Sequence, residues 1–530
     1  MNHIELFAGC GGLSLGLETA GFDLLMANEL SPMASETFAY NHLNADLESQ
    51  SNAENIYWIS SKNERRDMHY RLRENPNNAT GLTEDHISDI RGREFYKKDL
   101  DRSLMIGSIV DLNTLLDENS TLLEVLRSGL DNKGIDLVSG GPPCQSFSLA
   151  GLRQQSNNRN QLPWEFAKFV KKIQPKIALL ENVSGILRAF KIGESRYFAW
   201  FEVAKAFAKV GYIPICLHIN AKYVGTAQNR PRFILLAIRE DIYQKFEDST
   251  LAKEVVTELK PYKKFFTKIY HKKQDPKIEE IDYLDIGKNT DVFRSELFRS
   301  LLTHEGKELV SVKDAIDDLR SRRVKESEYV DRINSIYKKH HSHPVNKTKN
   351  HDPRSNNNRV KSRFRIYQVM SKLPKEQLRE ISNFLKSEGA TGVINSTLKN
   401  LSKYWLLDTK GEKIDYPSRK KILEILSQLY TKKQTQKALI ANYPAPAALS
   451  IPDDACHYHE SVTEQRTLTV REMSRIQSFP DWYEIKSKVT TGGQMRKFEV
   501  PQYTQIGNAV PPLLGVALGE VCKKILYAIS

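Results

Sequence analysis

Residues 4–29 read IELFAGCGGLSLGLETAGFDLLMANE, and this stretch indicates the fold class. The apolar run Ile4–Ala8 predicts a strand, Ser14–Ala20 predicts a helix, and Asp23–Ala27 predicts a second strand. The glycines between the first strand and the helix let a ligand approach the backbone, and the start of the helix can receive a carboxylate. This order of elements favours an α/β domain whose first loop binds a small molecule.

The loop Phe7–Gly12 does not fit the dinucleotide-binding fingerprint, because Ser14 stands where the third glycine of G-x-G-x-x-G belongs. A glycine-rich turn by itself is also compatible with a tight turn and no ligand. Glu29, at the end of the second strand, is placed to accept hydrogen bonds from both hydroxyls of a ribose. A nucleoside cofactor without a phosphate-binding glycine indicates S-adenosylmethionine.

The alternation of strands and helices continues through the first 240 residues or so. Five further apolar runs predict strands: Leu104–Val110, Ile135–Ser139, Ile177–Leu180, Ile213–Ile219 and Phe233–Ile238. Strands that alternate with helices imply a mostly parallel sheet covered on both faces. A polar stretch at about residues 44–103, rich in Asn, Glu, Arg and Lys, predicts an insertion between the second and third strands.

The composition is that of a globular protein with more than one domain. The chain has 530 residues, of which 40% are hydrophobic and 27% charged, and this balance argues against disorder and against a membrane protein. Its five cysteines are far apart and form no C-x-x-C pair, so neither a disulfide framework nor a zinc site is indicated. The apolar stretch at the start is too short for a signal peptide, and we expect a cytoplasmic protein.

Beyond about Glu240 the sequence becomes basic, Asn-rich and irregular, which predicts a second domain. The net charge of +13 favours a polyanionic partner, although charge alone is compatible with many enzymes that never bind nucleic acid. Basic runs cluster between about Lys260 and Arg365, where Lys263 and Lys264 are candidates for phosphate contacts. For any single run, a solvated surface is an equal alternative.

The segment GGPPCQSFSLAG, residues 140–151, directly follows the predicted strand Ile135–Ser139. Ligands of open α/β sheets bind at the carboxyl ends of the strands. Pro142 and Pro143 take the next residue, Cys144, out of regular structure and present its thiol to the crevice. A lone cysteine is more often a small buried core residue, but this context favours a nucleophile.

Other charged residues also lie at strand ends. Glu181 directly follows the strand Ile177–Leu180, and its alternative interpretation is an ion-paired surface residue. Arg230 and Arg232 precede the strand Phe233–Ile238, and their spacing places both side chains on one face of an extended segment. Without further context, two such arginines are more often phosphate binders or surface charge.

Six segments together carry a resemblance to a known family. They are Phe7–Gly12, Gly141–Ser148 (GPPCQSFS), Glu181–Val183 (ENV), Gln228–Arg232 (QNRPR), Arg466–Asp481 (RTLTVREMSRIQSFPD) and Gln505–Pro512 (QIGNAVPP). In sequence and in order they resemble the motifs of the DNA (cytosine-5) methyltransferases, and six motifs in order make a chance match negligible. Residues of about 44–103 and 241–460 match no motif.

The resemblance implies roles for individual residues. Cys144 would add to C6 of cytosine, Glu181 would bind N3 and the exocyclic amine, and Arg232 would hold O2 and lower the pKa of the thiol. Gln145 and Arg230 would complete the catalytic set. S-adenosylmethionine would be bound by Phe7, Gly9, Gly11, Gly12, Glu29, Ile109, Pro142, Asn508 and Val510, with Asn508 on its methionine part.

The implied fold is a Rossmann-like, S-adenosylmethionine-dependent methyltransferase domain with an inserted target-recognition domain. The catalytic domain would comprise residues 1–240 plus 503–530, and the recognition domain would comprise residues 241–502. The helix Leu513–Ile529 would dock on the first domain, and Arg475 would have a structural role.

Two positions depart from the pattern of the family. Glu5 stands where the family usually has aspartate, a change that keeps the carboxylate. Ser108 stands where the aspartate that binds the adenine amino group is expected, so this contact is not predicted for the chain.

The implied substrate is double-stranded DNA with the target cytosine flipped out, because no side chain reaches C6 inside a stacked duplex. An enzyme without regulatory domains is expected to be the modification enzyme of a restriction–modification system, paired with a restriction endonuclease and monomeric on DNA. One alternative is the tRNA-modifying branch of the family, but its short recognition region and Cys-Phe-Thr motif are not found here. The other is an inactive DNA-binding protein, which the intact Cys144, Glu181 and Arg232 oppose.

Overall fold

The computed structural model describes residues 1–49, 54–143, 161–192, 195–320, 324–340, 343–387, 392–433, 435–447 and 455–529. Cys144 and Gln145 lie outside these residues. The strands, in chain order, are β1 (Asn2–Leu6), β2 (Asp23–Glu29), β3 (Ile56–Trp58), β4 (Ser103–Ile106), β5 (Leu137–Gly140), β6 (Ile177–Val183), β7 (Phe190–Ile192), β8 (Ser195–Tyr197), β9 (Tyr212–Asn220), β10 (Gln228–Asn229), β11 (Pro231–Arg239), β12 (Leu284–Asp285), β13 (Leu406–Leu407), β14 (Lys413–Ile414), β15 (Lys437–Ala438), β16 (Ala445–Pro446) and β17 (Ala455–Cys456).

The α-helices, in chain order, are α1 (Gly12–Ala20), α2 (Pro32–His42), α3 (Met68–Arg73), α4 (Lys97–Leu100), α5 (Ile109–Glu118), α6 (Ser120–Ser128), α7 (Leu162–Ile173), α8 (Ala199–Lys209), α9 (Glu240–Glu247), α10 (Thr250–Lys253), α11 (Val256–Tyr270), α12 (Thr290–Arg294), α13 (Val312–Arg320), α14 (Glu328–Ile336), α15 (Asn358–Met370), α16 (Lys375–Lys386), α17 (Asn395–Leu401), α18 (Arg419–Ser427), α19 (Val470–Ile476), α20 (Gln502–Asn508) and α21 (Pro512–Tyr527). Among the residues described, no helix is both long and apolar enough to cross a membrane.

One large sheet organises the fold. Its nine strands follow the order β12-β9-β11-β6-β5-β1-β2-β4-β3, and all of them are parallel except β11, which runs antiparallel to both of its neighbours. The connection between β9 and β11 is too short for a crossover helix to return the chain, so an antiparallel pair results. The structure confirms the α/β fold class that the sequence predicted.

The third predicted strand, Leu104–Val110, is only partly correct. Strand β4 ends at Ile106, because Gly107 adopts a φ of 144° and the hydroxyl of Ser108 accepts a hydrogen bond from the Val110 amide at 3.1 Å. This bond caps α5, which begins at Ile109. The apolar pair after Ser108 therefore opens a helix, where the pattern was interpreted as the continuation of a strand.

The polar insertion contributes to the main sheet, which the sequence did not predict. Strand β3 pairs in parallel with β4 at the edge of the sheet, and the Ile59 amide extends this pairing to the Ile106 carbonyl at 2.8 Å. The guanidinium of Arg71 is buried beneath it, where it pairs with Asp89 at 3.0 Å and lies over the Trp58 ring. A strand of three residues is too short to leave a period-2 signal in the sequence.

The chain end docks on its beginning, as the sequence predicted. Helix α21 packs along α1, and a β-carbon on Gly16 would lie 2.6 Å from the Cα of Gly515. The two glycines therefore allow the two helix backbones to approach closely. Because α1 directly follows the glycine loop, this contact holds the loop from below.

The buried apolar side chains form one very large cluster, a second of intermediate size, and a smaller third one that packs α2 against β2, β3 and β4. The first covers the main sheet and also takes in side chains of α11, α13 and α14. The second runs from Phe364 to Cys456 and joins α15, α16, α17 and α18. Division of the chain at residues 241 and 502 stays a prediction.

Buried charges tie the last third of the chain to the first cluster. Arg475 is fully buried, and its guanidinium pairs with Asp481 at 2.8 Å and with Asp318 at 2.5 Å. A buried cation held by two carboxylates stabilises one arrangement of α13 and α19, and removal of either partner would leave an uncompensated charge. The structural role predicted for Arg475 is confirmed.

The lysines proposed as phosphate contacts lie on α11. Lys263 is ion-paired with Glu247, and the helix packs on α8 and β9. Because Lys263 already has an acidic partner, a phosphate contact would add less to the free energy of DNA binding. A role of Lys263 and Lys264 in DNA binding stays a prediction, and we expect a smaller loss of affinity when they are replaced.

Candidate active site

The carboxyl ends of the central strands bring most of the candidate residues to one edge of the sheet. Leu6 at the end of β1 is paired with Asn28 of β2 on one side and with Gly140 of β5 on the other. Gly140 is in turn paired with Leu180 of β6. Within one or two residues of these positions come four parts of the candidate site: the loop Phe7–Gly12, Glu29, Pro142 and Glu181. Open α/β sheets bind their ligands at this edge.

A buried ion pair lies at the centre of this edge. Arg232 Nε is 2.6 Å from Glu181 Oε1, and the two residues are 6% and 8% exposed. Burial lowers the pKa of Arg232, and the adjacent carboxylate opposes this shift. The antiparallel register of β6 and β11 sets the pair, because Arg232 lies opposite Val183. A planar base that enters here would meet a carboxylate and a guanidinium side by side.

Asn182 anchors the segment that leads to Cys144. Its side-chain amide donates to the Pro142 carbonyl at 3.0 Å, and its side-chain oxygen accepts from the Val183 amide at 2.9 Å. A β-carbon on Gly141 would lie 3.0 Å from Glu181 Oε2, so the chain passes directly beside the carboxylate. The last described residue before Cys144 is Pro143, and both Cys144 and Gln145 lie outside the described residues.

The four described cysteines are all buried: Cys10, Cys216, Cys456 and Cys522. Burial raises the pKa of each thiol, to about 12 for Cys10 and Cys522 and further for Cys216 and Cys456. A thiol with such a pKa is not a thiolate at neutral pH and cannot act as the nucleophile. The fifth cysteine, Cys144, is the one that remains for this role.

Arg230, placed in the catalytic set by the sequence, is 2% exposed and contacts backbone. Its Nη2 donates to the carbonyls of Gly507 and Ala509, both at 3.0 Å, and its Nη1 donates to the Ala447 carbonyl at 3.2 Å. These bonds fasten the near-terminal motif to the start of β11. A structural role accounts for every one of them.

The predicted cofactor loop is closed around the carboxylate of Glu29. The Gly9 amide donates to Oε2 and the Ser31 amide donates to Oε1, both at 2.8 Å. Burial raises the pKa of Glu29, and these hydrogen bonds oppose the shift. Each carboxylate oxygen keeps a further lone pair, which suits a pair of ribose hydroxyls. Gly9 has a φ of 56° and faces open space, so the loop leaves room for a ligand beside Glu29.

Two side chains that the sequence did not point to hold this loop in shape. Tyr483 donates from its hydroxyl to the Cys10 carbonyl, and its oxygen lies 3.0 Å from His42 Nε2. His42 Nδ1 bonds Glu18 at 2.7 Å, and a β-carbon on Gly11 would lie 2.3 Å from His42 Nε2. Because Tyr483 is far along the chain from the loop and belongs to none of the six motifs, no local signal identifies it.

The other candidate cofactor residues lie around the same loop. A β-carbon on Gly12 would lie 2.3 Å from the Val510 carbonyl, so the near-terminal motif touches the start of α1. Asn508 is exposed at the end of α20, and Ile109 is buried at the start of α5. Phe7 has a φ of 55° and its ring centroid lies 6.4 Å from that of Phe166. Of these residues, Gly12 and Val510 touch directly, and Ile109 follows the end of β4, the neighbour of β2 in the sheet.

Comparison with known proteins agrees with this geometry. A family model for C-5 cytosine-specific DNA methylases matches residues 1–62 and 114–524. The type II methyltransferase M.DdeI of Desulfomicrobium norvegicum is 25% identical over 523 residues, which cover 98% of this chain and 88% of that protein. The type II methyltransferase M.NgoPII of Neisseria gonorrhoeae is 30% identical over 247 residues, which cover 46% of this chain and 50% of that protein.

Among solved structures, a chain assigned as a DNA modification methyltransferase of an E. coli prophage is 19% identical, with 99% of each chain covered and a TM-score of 0.45. The family match extends over most of the chain and includes β1, the glycine loop, Glu181 and Arg232. The chain therefore belongs to the C-5 cytosine-specific DNA methylase family and is a DNA (cytosine-5) methyltransferase.

Proposed function

We propose that this protein transfers a methyl group from S-adenosylmethionine to C5 of a cytosine that is flipped out of a specific double-stranded DNA sequence. The reaction passes through a covalent bond between Cys144 and C6 of the base. The observation that carries the proposal is the buried Glu181–Arg232 pair, beside which Asn182 holds the Pro142 carbonyl two residues before Cys144.

Each residue of this site has a defined task. The Cys144 thiolate adds to C6, and the positive charge of Arg232 favours the thiolate and holds O2 of the ring. Glu181 binds N3 and the exocyclic amine, which stabilises the electron-rich ring that forms. Bound S-adenosylmethionine supplies the methyl group to C5. Loss of the C5 proton then restores the ring, and Cys144 leaves C6 as the thiolate.

The fit of the cofactor is supported by the loop and by Glu29. The carboxylate has lone pairs for the ribose hydroxyls, Gly9 leaves open space, and the start of α1 has no side-chain cap for its free amides. Those amides suit the carboxylate of a methionine group. Ser108 caps α5 with its hydroxyl, so the adenine amino group has to find its acceptor elsewhere.

The burial of the Glu181–Arg232 pair supports base flipping. Glu181 is 8% exposed, and a base stacked in a duplex cannot approach a carboxylate at that depth. Extrusion of the cytosine costs a few kcal/mol, about the value of unpairing and unstacking one base, and contacts between protein and DNA offset it.

The DNA-binding surface is proposed to lie on the part of the chain that carries the second buried cluster. Residues 357–447 contain 18 Lys and Arg and 7 Asp and Glu, which gives +11 of the net charge of +13 of the whole chain. The remaining residues are nearly neutral in sum, so the electrostatic attraction for a polyanion is concentrated here. This segment lies within the recognition domain predicted for residues 241–502.

Replacement of Arg419 and Lys420 with Ala is expected to weaken binding to all DNA sequences alike. Both side chains are exposed at the start of α18 and have no ion pair among the residues described, so they are available to phosphates. The slope of log K against log salt should flatten by up to about 2, because each lost phosphate contact contributes roughly 0.9. Fluorescence anisotropy of labelled DNA over a series of salt concentrations measures this slope.

The matched control is the double replacement of Lys263 and Lys264 with Ala, which removes the same charge from α11. A smaller change is expected here because Lys263 already has a partner in Glu247. Equal slopes for the two variants would refute the placement of the surface.

Tyr483→Phe is expected to weaken S-adenosylmethionine binding by roughly tenfold, because it leaves the buried Cys10 carbonyl without its donor and releases the cofactor loop. Isothermal titration calorimetry with the cofactor measures the change. Tyr262→Phe is the control, since Tyr262 is also buried and its hydroxyl bonds backbone carbonyls, at 2.6 Å to Asp282 and 3.2 Å to Cys216, but it lies on α11 and not at the loop. An equal loss of cofactor affinity in both variants would mean a general effect on stability.

A role in restriction–modification is proposed from the relatives, since M.DdeI and M.NgoPII are both type II methyltransferases. The protein would then protect DNA from a partner endonuclease and act as a monomer in the cytoplasm. Bisulfite sequencing of DNA from cells that express the protein tests activity and target site together, with Cys144→Ser as the control. Random or absent 5-methylcytosine would contradict the proposal.

A further inference from the structure

The short segment that joins β14 to α18 combines three features that are each locally unfavourable. Tyr416 is 81% exposed, the largest value for a large apolar side chain among the residues described. Its backbone has a φ of 49°, in the left-handed region that bulky residues rarely adopt. The first turn of α18 carries Arg419, Lys420 and Lys421, although the helix dipole disfavours cations at this end. None of the six motifs includes this segment.

The backbone that carries Tyr416 is anchored on both sides. Ile414, at the end of β14, packs against the second buried cluster, and Pro417 is buried. The hydroxyl of Ser418 caps α18, because it accepts a hydrogen bond from the Lys421 amide at 3.3 Å. These anchors limit the freedom of the backbone at Tyr416, so contact with a partner orders little that is not ordered already.

A single kind of partner accounts for all three features. Local conformations that cost stability are retained where a function requires them. Arg419 and Lys420 are exposed and have no ion pair among the residues described, so an anion can bind them. Nucleic acid supplies both the anionic phosphates and the planar bases on which an aromatic ring stacks. The excess of +11 in residues 357–447 favours such an extended polyanion.

We propose that Tyr416 inserts its ring at a base step of the bound DNA, with Arg419 and Lys420 on the phosphates that flank this step. The inference rests on the proposed function, because it takes double-stranded DNA as the substrate and residues 357–447 as the DNA-binding surface. The groove edges of base pairs are mostly polar, whereas the faces of the bases are apolar and match the faces of a tyrosine ring. Opening of a step costs stacking energy, which the ring and the phosphate contacts offset.

Replacement of Tyr416 with asparagine tests the inference on the full-length protein. Asparagine tolerates the left-handed backbone better than tyrosine does, so the urea concentration at the midpoint of unfolding should stay the same or rise. The affinity for a duplex that contains the mapped target site should nevertheless fall by roughly tenfold, because the stacking contact is lost. A purely structural role of Tyr416 would lower stability and affinity together and would contradict the inference.

The salt dependence separates the ring from the cations. Tyr416→Asn removes no charge, so its slope of log K against log salt should equal that of wild type, whereas the double replacement of Arg419 and Lys420 flattens the slope. Duplexes in which 2-aminopurine replaces one base at a time near the target then locate the ring. One position should give a change in fluorescence with wild-type protein that is absent with Tyr416→Asn, because stacking alters the emission of the base.

Two further variants serve as controls. Tyr527 is 66% exposed at the end of α21, outside the basic segment, so Tyr527→Asn should bind DNA as wild type does. Tyr416→Phe keeps the ring and should restore most of the affinity that Tyr416→Asn loses. Equal losses in the Phe and Asn variants would mean that the hydroxyl makes the contact, and the inserted ring would be refuted.

The outcomes separate this inference from the proposed function. If wild-type protein binds and methylates its site, but Tyr416→Asn has the same affinity and no 2-aminopurine position distinguishes the two proteins, the inserted ring is refuted and the methyltransferase proposal stands. If wild type methylates no DNA, the proposed function itself fails. Light scattering without DNA tests a protein partner: wild-type dimers that Tyr416→Asn dissociates would assign the ring to an interface between two copies of the chain and overturn the inference.

Discussion

Replacement of Cys144 with serine is expected to lower the rate of methylation by roughly 10,000-fold or more while cofactor and DNA affinities stay within about twofold. A hydroxyl is protonated at neutral pH and adds far less readily than a thiolate to C6. The four other cysteines are buried with raised pKa values and cannot take over the reaction. Single-turnover transfer of a labelled methyl group to the mapped target site measures the rate.

The covalent step has its own test in DNA that carries 5-fluorocytosine at the target. Fluorine cannot leave C5 as the proton does, so the adduct with Cys144 should persist in wild-type protein and be absent from Cys144→Ser. Cys456→Ser provides the control, since Cys456 is fully buried and belongs to the second cluster. A stable adduct in the Cys144 variant, or appreciable turnover by it, would exclude the assigned nucleophile.

Glu181→Gln is expected to lower the rate constant of methyl transfer by about 100-fold to 10,000-fold, the range for loss of a group that handles proton and charge in the transition state. The amide keeps the shape of the side chain but loses the charge that pairs with Arg232 at 2.6 Å. Cofactor affinity should be unchanged, because the Glu29 loop does not touch Glu181 through any described bond. The measurement is the same single-turnover assay, with binding followed separately.

Glu165→Gln is the matched control for this second effect. Glu165 is also buried and charged, and it bonds the Asn113 amide at 2.9 Å and Lys168 on the face of the sheet. The Glu165→Gln variant should unfold at a lower urea concentration than wild type, while the rate constant of methyl transfer in the folded protein stays unchanged. A comparable rate for wild type and Glu181→Gln would remove Glu181 from the reaction.

The parts of the fold that the sequence predicted are those with local signals. Continuous apolar runs predicted the strands β1, β2, β5, β6, β9 and β11. Residues that follow such runs, such as Glu29 and Glu181, could be assigned to one edge of the sheet because the carboxyl ends of parallel strands lie at the same edge. The ion pair between Glu181 and Arg232 also follows from this logic, since both residues flank long buried strands.

The parts that escaped prediction depend on contacts between distant segments. Tyr483 and His42 meet at the cofactor loop although they are 441 residues apart in sequence. His218 and Asp285 are 67 residues apart, and only the parallel register of β9 and β12 brings them together. The antiparallel direction of β11 and the helix start at Ile109 were missed because an apolar run does not encode direction, and because Ser108 was not identified as a cap.

The insertion at residues 44–103 covers one edge of the main sheet. The family match skips residues 63–113, yet β3, just before them, pairs with β4 and covers the hydrogen-bonding edge of the sheet. A shortened chain without β3 would expose the backbone of Ser103–Ile106, a row of unpaired amides and carbonyls on a wholly buried apolar strand. Such an edge pairs readily with a second chain, so we expect removal of β3 to promote self-association by strand addition.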